Sequence, residues 1–271
     1  MLRLSIPAAA VSILLLVACA NPYAQFYTDQ LGGRSIDEFP IIERHMGEPR
    51  IYSTTDQEHD GRALLENGYL LIGYSSFNAG AVDSKQAVRQ AKKVGAAIVL
   101  VQSQYTNTVT GTIPYTVQNP SQTVTTYHSG SVYGSGGYGG YSGTSTTTVP
   151  GGYTTHQIPY SVNRYEYGAT FWAKSKPLSL GVQVNDLTDE MRREIGSNRG
   201  VVVNVVVKGS PAFNADIIRG DIITRINDET IADAQIFGAT VSRYAGQDVV
   251  LHTYRDGHDR EVALRLNPAV Y

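Results

Sequence analysis

Between Asn107 and Thr155 the chain is Tyr, Gly, Ser and Thr with hardly a charge, including VYGSGGYGGYSG from Val132 to Gly143. Such a stretch lacks the aliphatic residues whose burial offsets the entropy of ordering, which predicts mobile chain and no core of its own. Whatever packs must be built from the segments on either side. The two shoulders of the stretch repeat each other, Thr112-Ile-Pro-Tyr-Thr-Val117 before it and Gln157-Ile-Pro-Tyr-Ser-Val162 after it. Paired as strands of a long hairpin, they return the chain to where it left. Pro114 and Pro159, which have no N–H, must then take positions that lose no ladder bond. The low-complexity insertion proper is set at about 118–155.

The segments around this insertion alternate in period. Arg50 to Thr54 reads as a short strand, Asp56 caps a helix running to Asn67, and Gly68 ends it. Gly68 to Phe77 is a strand rich in apolar and aromatic residues. A second helix starts at Ser84, its expected cap, carries Ala87, Val88, Ala91 and Val94 on one face and stops at Gly95. Ala96 to Thr106 is then a buried strand, and strand, helix, strand at this spacing is a βαβ unit. Arg164 to Lys174 alternates apolar with polar and is expected to rejoin that sheet, with Trp172 in the core. The fold class is α+β: a small α/β layer domain over 50–176 that carries the hairpin insertion, then a second domain over 177–271.

At the amino terminus Arg3 precedes an apolar run from Ile6 to Val17, too short to span a bilayer, so residues 1–18 read as a secretory signal. The run ends in Leu16-Val17-Ala18-Cys19, which resembles the lipobox of bacterial lipoproteins. That resemblance implies cleavage before Cys19 and acylation of its thiol. Cys19 is the single cysteine, so it has no partner for an internal disulfide in an oxidising compartment. Acyl chains bury at roughly 0.8 kcal/mol per CH₂, so several on one residue hold a protein on a membrane. Ala20, where the sorting rule of enteric bacteria would need Asp to retain the protein, points to the outer membrane. Residues 19–49 are expected to be a tether, whose IDEFPII docks on the domain that follows. A formal net charge of −2 and the lack of any Lys/Arg block leave nucleic acid an improbable partner.

From Leu178 the chain reads LSLGVQVNDLTDEMRREIGSNRGVVVNVVVKGSPAFNADIIRGDIITRINDETI and continues to REVALRL. Gly200 to Lys208 is a β-branched strand, Pro211 opens a short helix, and Gly220-Asp221 turns into the strand Ile222 to Asn227. Asp233 caps an amphipathic helix to about Tyr244, and Asp256-Gly257 makes a hairpin turn. In order and spacing these motifs resemble the PDZ domain of HtrA-type serine proteases, over about a third of the chain. One position departs: the family usually has Ala-Gly-Leu where this chain has Ala215-Asp216-Ile217. Asp tolerates left-handed backbone less well than Gly, which singles out that turn.

Such domains bind peptides by adding a strand to an open sheet edge while backbone amides near a Gly receive the terminal carboxylate. The resemblance assigns that loop to Leu178 through Val182, with Leu180, Gly181 and Val182 at its centre and Lys176 adding charge. Ile236, Phe237, Thr240 and Val241 would form the opposite wall and select an apolar last side chain. A few ladder bonds at about 1 kcal/mol each and one or two buried side chains at about 1.5 to 3 kcal/mol only modestly exceed the cost of ordering a peptide. Affinity on the order of micromolar follows.

The protease that usually accompanies this domain is not legible. Gly134-Ser135-Gly136-Gly137 superficially resembles a nucleophile loop, but no apolar strands flank it to fix a geometry, so no catalytic residue is assigned. The six His residues are scattered without metal-ligand spacing, so no metal and no cofactor is expected. Glu58-His59-Asp60 reads as a solvated helix face, and Arg219-Gly220-Asp221 as a structural turn. The expectation is a non-enzymatic, outer-membrane-anchored lipoprotein that binds envelope proteins or peptides with apolar C-termini, as an adaptor or sensor in envelope quality control or assembly. The alternative is a structural envelope lipoprotein acting through its Tyr/Gly-rich arm, with the PDZ groove filled internally.

Overall fold

The computed structural model describes residues 21–270. Residues 1–18, read from sequence as a secretory signal, and Cys19 lie outside the described residues. Among those described, no helix is long and apolar enough to cross a membrane.

The first domain begins with helix α1 (Pro22–Gln25), strands β1 (Tyr27–Asp29), β2 (Ile42–Glu43) and β3 (Arg50–Ser53), helix α2 (Gln57–Glu66), strand β4 (Tyr69–Ala79) and helix α3 (Lys85–Val94). Strand β5 (Ile98–Gln118) leads into β6 (Gln122–Gly134) and β7 (Gly137–Val149), and β8 (Tyr153–Ser175) returns. Asp56 caps α2 by accepting from His59 N at 3.0 Å, and Gly95 ends α3 in a left-handed turn at φ 78°. Ser84 precedes α3 in helical geometry without a side-chain cap; Asp83 accepts from Lys85 N instead, at 2.8 Å.

The sheet order is β1-β4-β8-β5-β3, with β2 paired to β8. The expected βαβ unit of β4, α3 and β5 is therefore split by β8, which runs antiparallel to β4 from Tyr69↔Lys174 to Ala79↔Tyr165. The residue alternation that returned Arg164–Lys174 to the sheet was legible; its central place was not. Strand β8 buries residues on both faces. Tyr167, Ala169, Phe171 and Ala173 join Ile72, Phe77, Ala87 and Ala91 on the α3 side, while Trp172 packs with Ile98, Leu100, Leu64 and Leu65 on the α2 side. Buried on both faces, a central strand reads as near-continuous apolar sequence, as Ala169 to Ala173 does. Gly61 lets α2 lie on Trp172, since a Cβ there would sit 3.2 Å from the indole ring.

Residues 21–49 are more than a tether. Tyr23, Ile36 and Ile42 are buried in the same core, β1 pairs with β4, and β2 pairs with β8. The apolar residues of IDEFPII do dock, and they do so as part of the sheet.

The arm, residues 106–164, is a separate compact unit. Strands β6 and β7 pair antiparallel from Gln122↔Val149 to Gly134↔Gly137 without a register shift. The sequence predicted mobile chain, whereas the structure gives it regular strands, nearly every side chain exposed. Thr, Tyr and Val suit a pleated strand even where no core is available. In the outer parts of β5 and β8, Thr108 bonds Asn163, Thr116 bonds Thr155, and Asn119 N donates to Gly152 O, all in one register. Pro114 and Pro159 each lie an odd number of residues from that last pair, so both face away from the partner strand, as the sequence required.

The second domain comprises β9 (Val182–Asp186), α4 (Asp189–Ile195), β10 (Val201–Val206), α5 (Pro211–Asn214), β11 (Ile222–Ile226), β12 (Glu229–Thr230), α6 (Ala234–Arg243), β13 (Asp248–Arg255) and β14 (His258–Arg265). Its sheet order is β14-β13-β11-β10-β9, with β12 on β11. Val201, Val203, Ile223, Ile226, Ile231, Phe237, Val249 and Leu251 form the core. Asp216 adopts φ 59° at the place where a Gly was expected, so the departure is accommodated in left-handed geometry. The two domains touch where Lys208 N donates to Glu66 O at 2.8 Å.

Candidate functional site

Strand β9 lies at one end of its sheet and pairs with β10 alone. Val207 N donates to Gly181 O at 2.8 Å, so Gly181 faces β10. By alternation, Val182 and Val184 turn their main-chain groups toward the unpaired edge. This edge offers an extended chain a ready row of donors and acceptors.

The main-chain hydrogen bonds that hold the loop before β9 all go to its carbonyls. Asn267 Nδ2 donates to Leu178 O at 2.9 Å, Asn267 N to Ser179 O at 2.8 Å, and Ala212 N to Leu180 O at 3.0 Å. Gly181 O accepts from Val207 N and, at 3.4 Å, from Ser210 Oγ. Among the described residues, the N–H groups of Ser179, Leu180 and Gly181 have no protein acceptor. Leu180 and Gly181 are both buried. Buried main-chain donors are almost always satisfied, so adjacent unpaired ones mark a place for an anionic acceptor.

Gly181 is required twice. Its φ is +82°, and a Cβ there would fall 2.1 Å from Cβ of Ser210. Only glycine fits both the left-handed turn and that close approach. Leu180 is 2% exposed and belongs to the core, where it anchors the loop; Val182 packs against the same core. Lys176 is held through its N–H to Ile41 O at 2.9 Å, and it lines a cavity of about 310 Å³ together with Leu178, Ser210 and Asn267.

Helix α6 forms the other side. Asp233 caps it by accepting from Ile236 N at 2.8 Å, and Asp186 Oδ1 accepts from Ala234 N at 2.8 Å, tying the helix start to the end of β9. On the far flank Glu229 collects Arg243 Nη1 at 2.6 Å, Tyr244 Oη at 2.8 Å and Thr240 Oγ1 at 3.5 Å. The Tyr244 hydroxyl, more than Arg243, holds the Glu229 carboxyl below its usual range. Of the four expected wall residues, Phe237 and Val241 pack against the core between helix and sheet. Thr240 is turned toward Glu229, and Ile236 is 43% exposed. The structure therefore places Ile236 and Thr240 off the wall. Helical periodicity puts Ala234, Gly238 and Val241 on the flank away from Glu229. A Cβ built on Gly238 meets nothing within 4 Å, so that flank borders open space.

Residues 179–266 match the family model described as PDZ domain. This part of the chain is a PDZ domain. It is 29% identical over 90 residues to a probable periplasmic serine endoprotease DegP-like of Rickettsia prowazekii (strain Madrid E), covering 32% of this chain and 18% of that protein. A protein of the same description from Marinomonas sp. (strain MWYL1) is 31% identical over 90 residues, covering 32% of this chain and 19% of its own. The match thus spans less than a fifth of those relatives, and it is confined to the PDZ domain. Among solved structures, the HtrA3 PDZ domain bound to a phage-derived ligand aligns at 22% identity and TM-score 0.29, over 32% of this chain and 83% of that one. The HtrA-type protease AlgW with decapeptide aligns at 22% identity and TM-score 0.30, over 36% of each chain.

The other sequence candidates have structural explanations. Ser135 sits in the turn between β6 and β7. His128 Nε2 and Ser145 Oγ lie 2.8 Å apart on the same hairpin, exposed, with no carboxylate in the arm to orient the imidazole. Glu58 pairs with Arg62 on the surface of α2 at 2.8 Å. Asp221 is 1% exposed and Ile218 N donates to it at 3.0 Å, so Arg219-Gly220-Asp221 is a locked turn. No group of three or more His, Cys, Asp or Glu among the described residues could hold a metal ion.

Proposed function

We propose that this chain is a non-enzymatic, membrane-anchored lipoprotein whose PDZ domain captures extended segments or C-termini of other proteins. The observation that carries the reading is the loop at Ser179, Leu180 and Gly181, whose carbonyls are all engaged while its amides have no protein acceptor, next to an open strand edge. A terminal carboxylate takes those amides through charge-assisted bonds, and the chain behind it adds to β9 at Val182 and Val184. The space beside Ala234, Gly238 and Val241 receives an apolar last side chain, and Lys176 supplies positive charge near the loop.

The periplasmic description of its DegP-like relatives supports an envelope-facing location. The lipobox supports acylation at Cys19 and, with Ala20, residence in the outer membrane. Held there with a modest-affinity reader, the protein acts as an adaptor or sensor in envelope quality control or assembly. A C-terminal peptide library screened against the purified full chain tests the recognition; enrichment of apolar final residues is expected, and a flat profile removes the proposal. Fractionation of cells carrying Cys19→Ser tests the anchor, with release from the membrane expected and unchanged membrane association contradicting it. Intact casein after prolonged incubation is the expected outcome of a proteolysis assay.

A further inference from the structure

The arm carries a second surface that the peptide-binding reading leaves unused. From Val94 to Asn163 the chain has not one Asp, Glu, Lys or Arg. Within it β6 and β7 form a two-stranded sheet with no third strand among the described residues. Both outer edges are therefore unpaired along the full ladder from Gln122↔Val149 to Gly134↔Gly137. A hairpin of two strands alone is marginally stable in water; a third strand or a packed face is what ordinarily sustains it. Tyr127, Tyr133, Tyr138 and Tyr141 are exposed by 82%, 80%, 66% and 58%, so no packed face supplies that support.

Proteins protect exposed edges with inward charges, lysines, prolines or bulges. This hairpin has none of these: it carries no charge, its register does not shift, and the nearest prolines, Pro120 and Pro150, fall outside the paired strands. We propose that the arm is an interface between copies of this chain, formed by edge-to-edge strand pairing of one arm with another. An uncharged edge meets its own copy without like-charge repulsion. The strands, rich in Thr, Tyr and Gly, are the same in both copies, so their propensities match. The occupant is thus a second copy, and the contact should persist at high salt because no ion pair contributes to it.

The two-residue turn Ser135-Gly136 makes Gly134 and Gly137 the closing hydrogen-bonded pair. By alternation from that pair, Thr125 and Thr146 point their N–H groups outward. Proline at either position removes an outward donor and leaves the internal ladder whole. The test is sedimentation velocity of the full chain in detergent across roughly a hundredfold range of concentration, at low and high salt. Concentration-dependent dimers or larger species, insensitive to salt, are expected of the wild type. The double variant Thr125→Pro with Thr146→Pro should weaken association by about tenfold or more, and deletion of 122–149 should abolish it. A wild type that stays monomeric throughout, including one that binds glycans or lipid vesicles as a monomer, overturns the proposal. So does association that survives the deletion.

Discussion

Arg255 closes on the buried carboxylate of Asp221 with two hydrogen bonds, Nε to Oδ1 at 2.5 Å and Nη2 to Oδ2 at 2.7 Å. The same guanidinium donates through Nη2 to the carbonyl of Asp216 at 2.6 Å, the residue in left-handed geometry. Asp221, chiefly, raises the Arg255 pKa above its ordinary value. One side chain from β13 thus holds both the strained turn and the start of β11. Asp221→Ala removes the buried carboxylate, leaves the guanidinium only Asp216, and should lower stability by about 3–5 kcal/mol. Arg255→Lys, with Asp221 kept, should also lower stability, because an ammonium cannot make the two parallel bonds. Denaturant unfolding followed by circular dichroism measures both.

Trp172 is the single tryptophan and is 5% exposed between α2 and the sheet. Its fluorescence should shift to the red as the first domain unfolds. Trp172→Ala should cost about 3–5 kcal/mol through lost burial and the cavity left behind, read as a lower denaturation midpoint.

Burial pushes the Tyr23 and Tyr27 hydroxyls up to about 12. A folded pKa raised above the unfolded value near 10 means that the folded state keeps protons that the unfolded state has released. The stability this contributes is complete below about pH 10 and is lost as pH rises to about 12. Thermal unfolding across that window should show a falling midpoint, with a shallower fall in Tyr23→Phe.

Gly181→Ala places a methyl against Ser210 and forces alanine to φ +82°. Calorimetric titration of the variant should show peptide affinity reduced by tenfold or more, because the loop must move and carry its amides with it. Asn267→Ala, which removes the side-chain donor to Leu178 O and keeps the main-chain bond to Ser179 O, should weaken binding by a smaller factor while the domain remains folded.

The elements legible from sequence were those set by local chemistry. Asp56 and Asp233 cap their helices, Gly95 stops one, and the order of PDZ motifs predicted the second sheet. Long-range choices were not. Nothing near Arg164 says that β8 inserts between β4 and β5, and Tyr23 enters the core from a segment read as a tether. The resemblance puts Thr240 and Ile236 on the wall, whereas helical phase, set by the Glu229 cluster, decides which flank faces β9. The role of Ser210 in closing on Gly181 and that of Asn267 in holding the loop depend on contacts across the domain, which carry no local signal.

The central claim is that unpaired amides at Ser179 to Gly181 receive a peptide's terminal carboxylate. Its most direct measurement is the affinity of the purified full chain for one apolar-ended peptide in two forms, with a free carboxylate and with a C-terminal amide. Binding on the order of micromolar for the free acid, weakened at least about tenfold by amidation, is the predicted result. Equal affinity for both forms, or binding of neither, would contradict it.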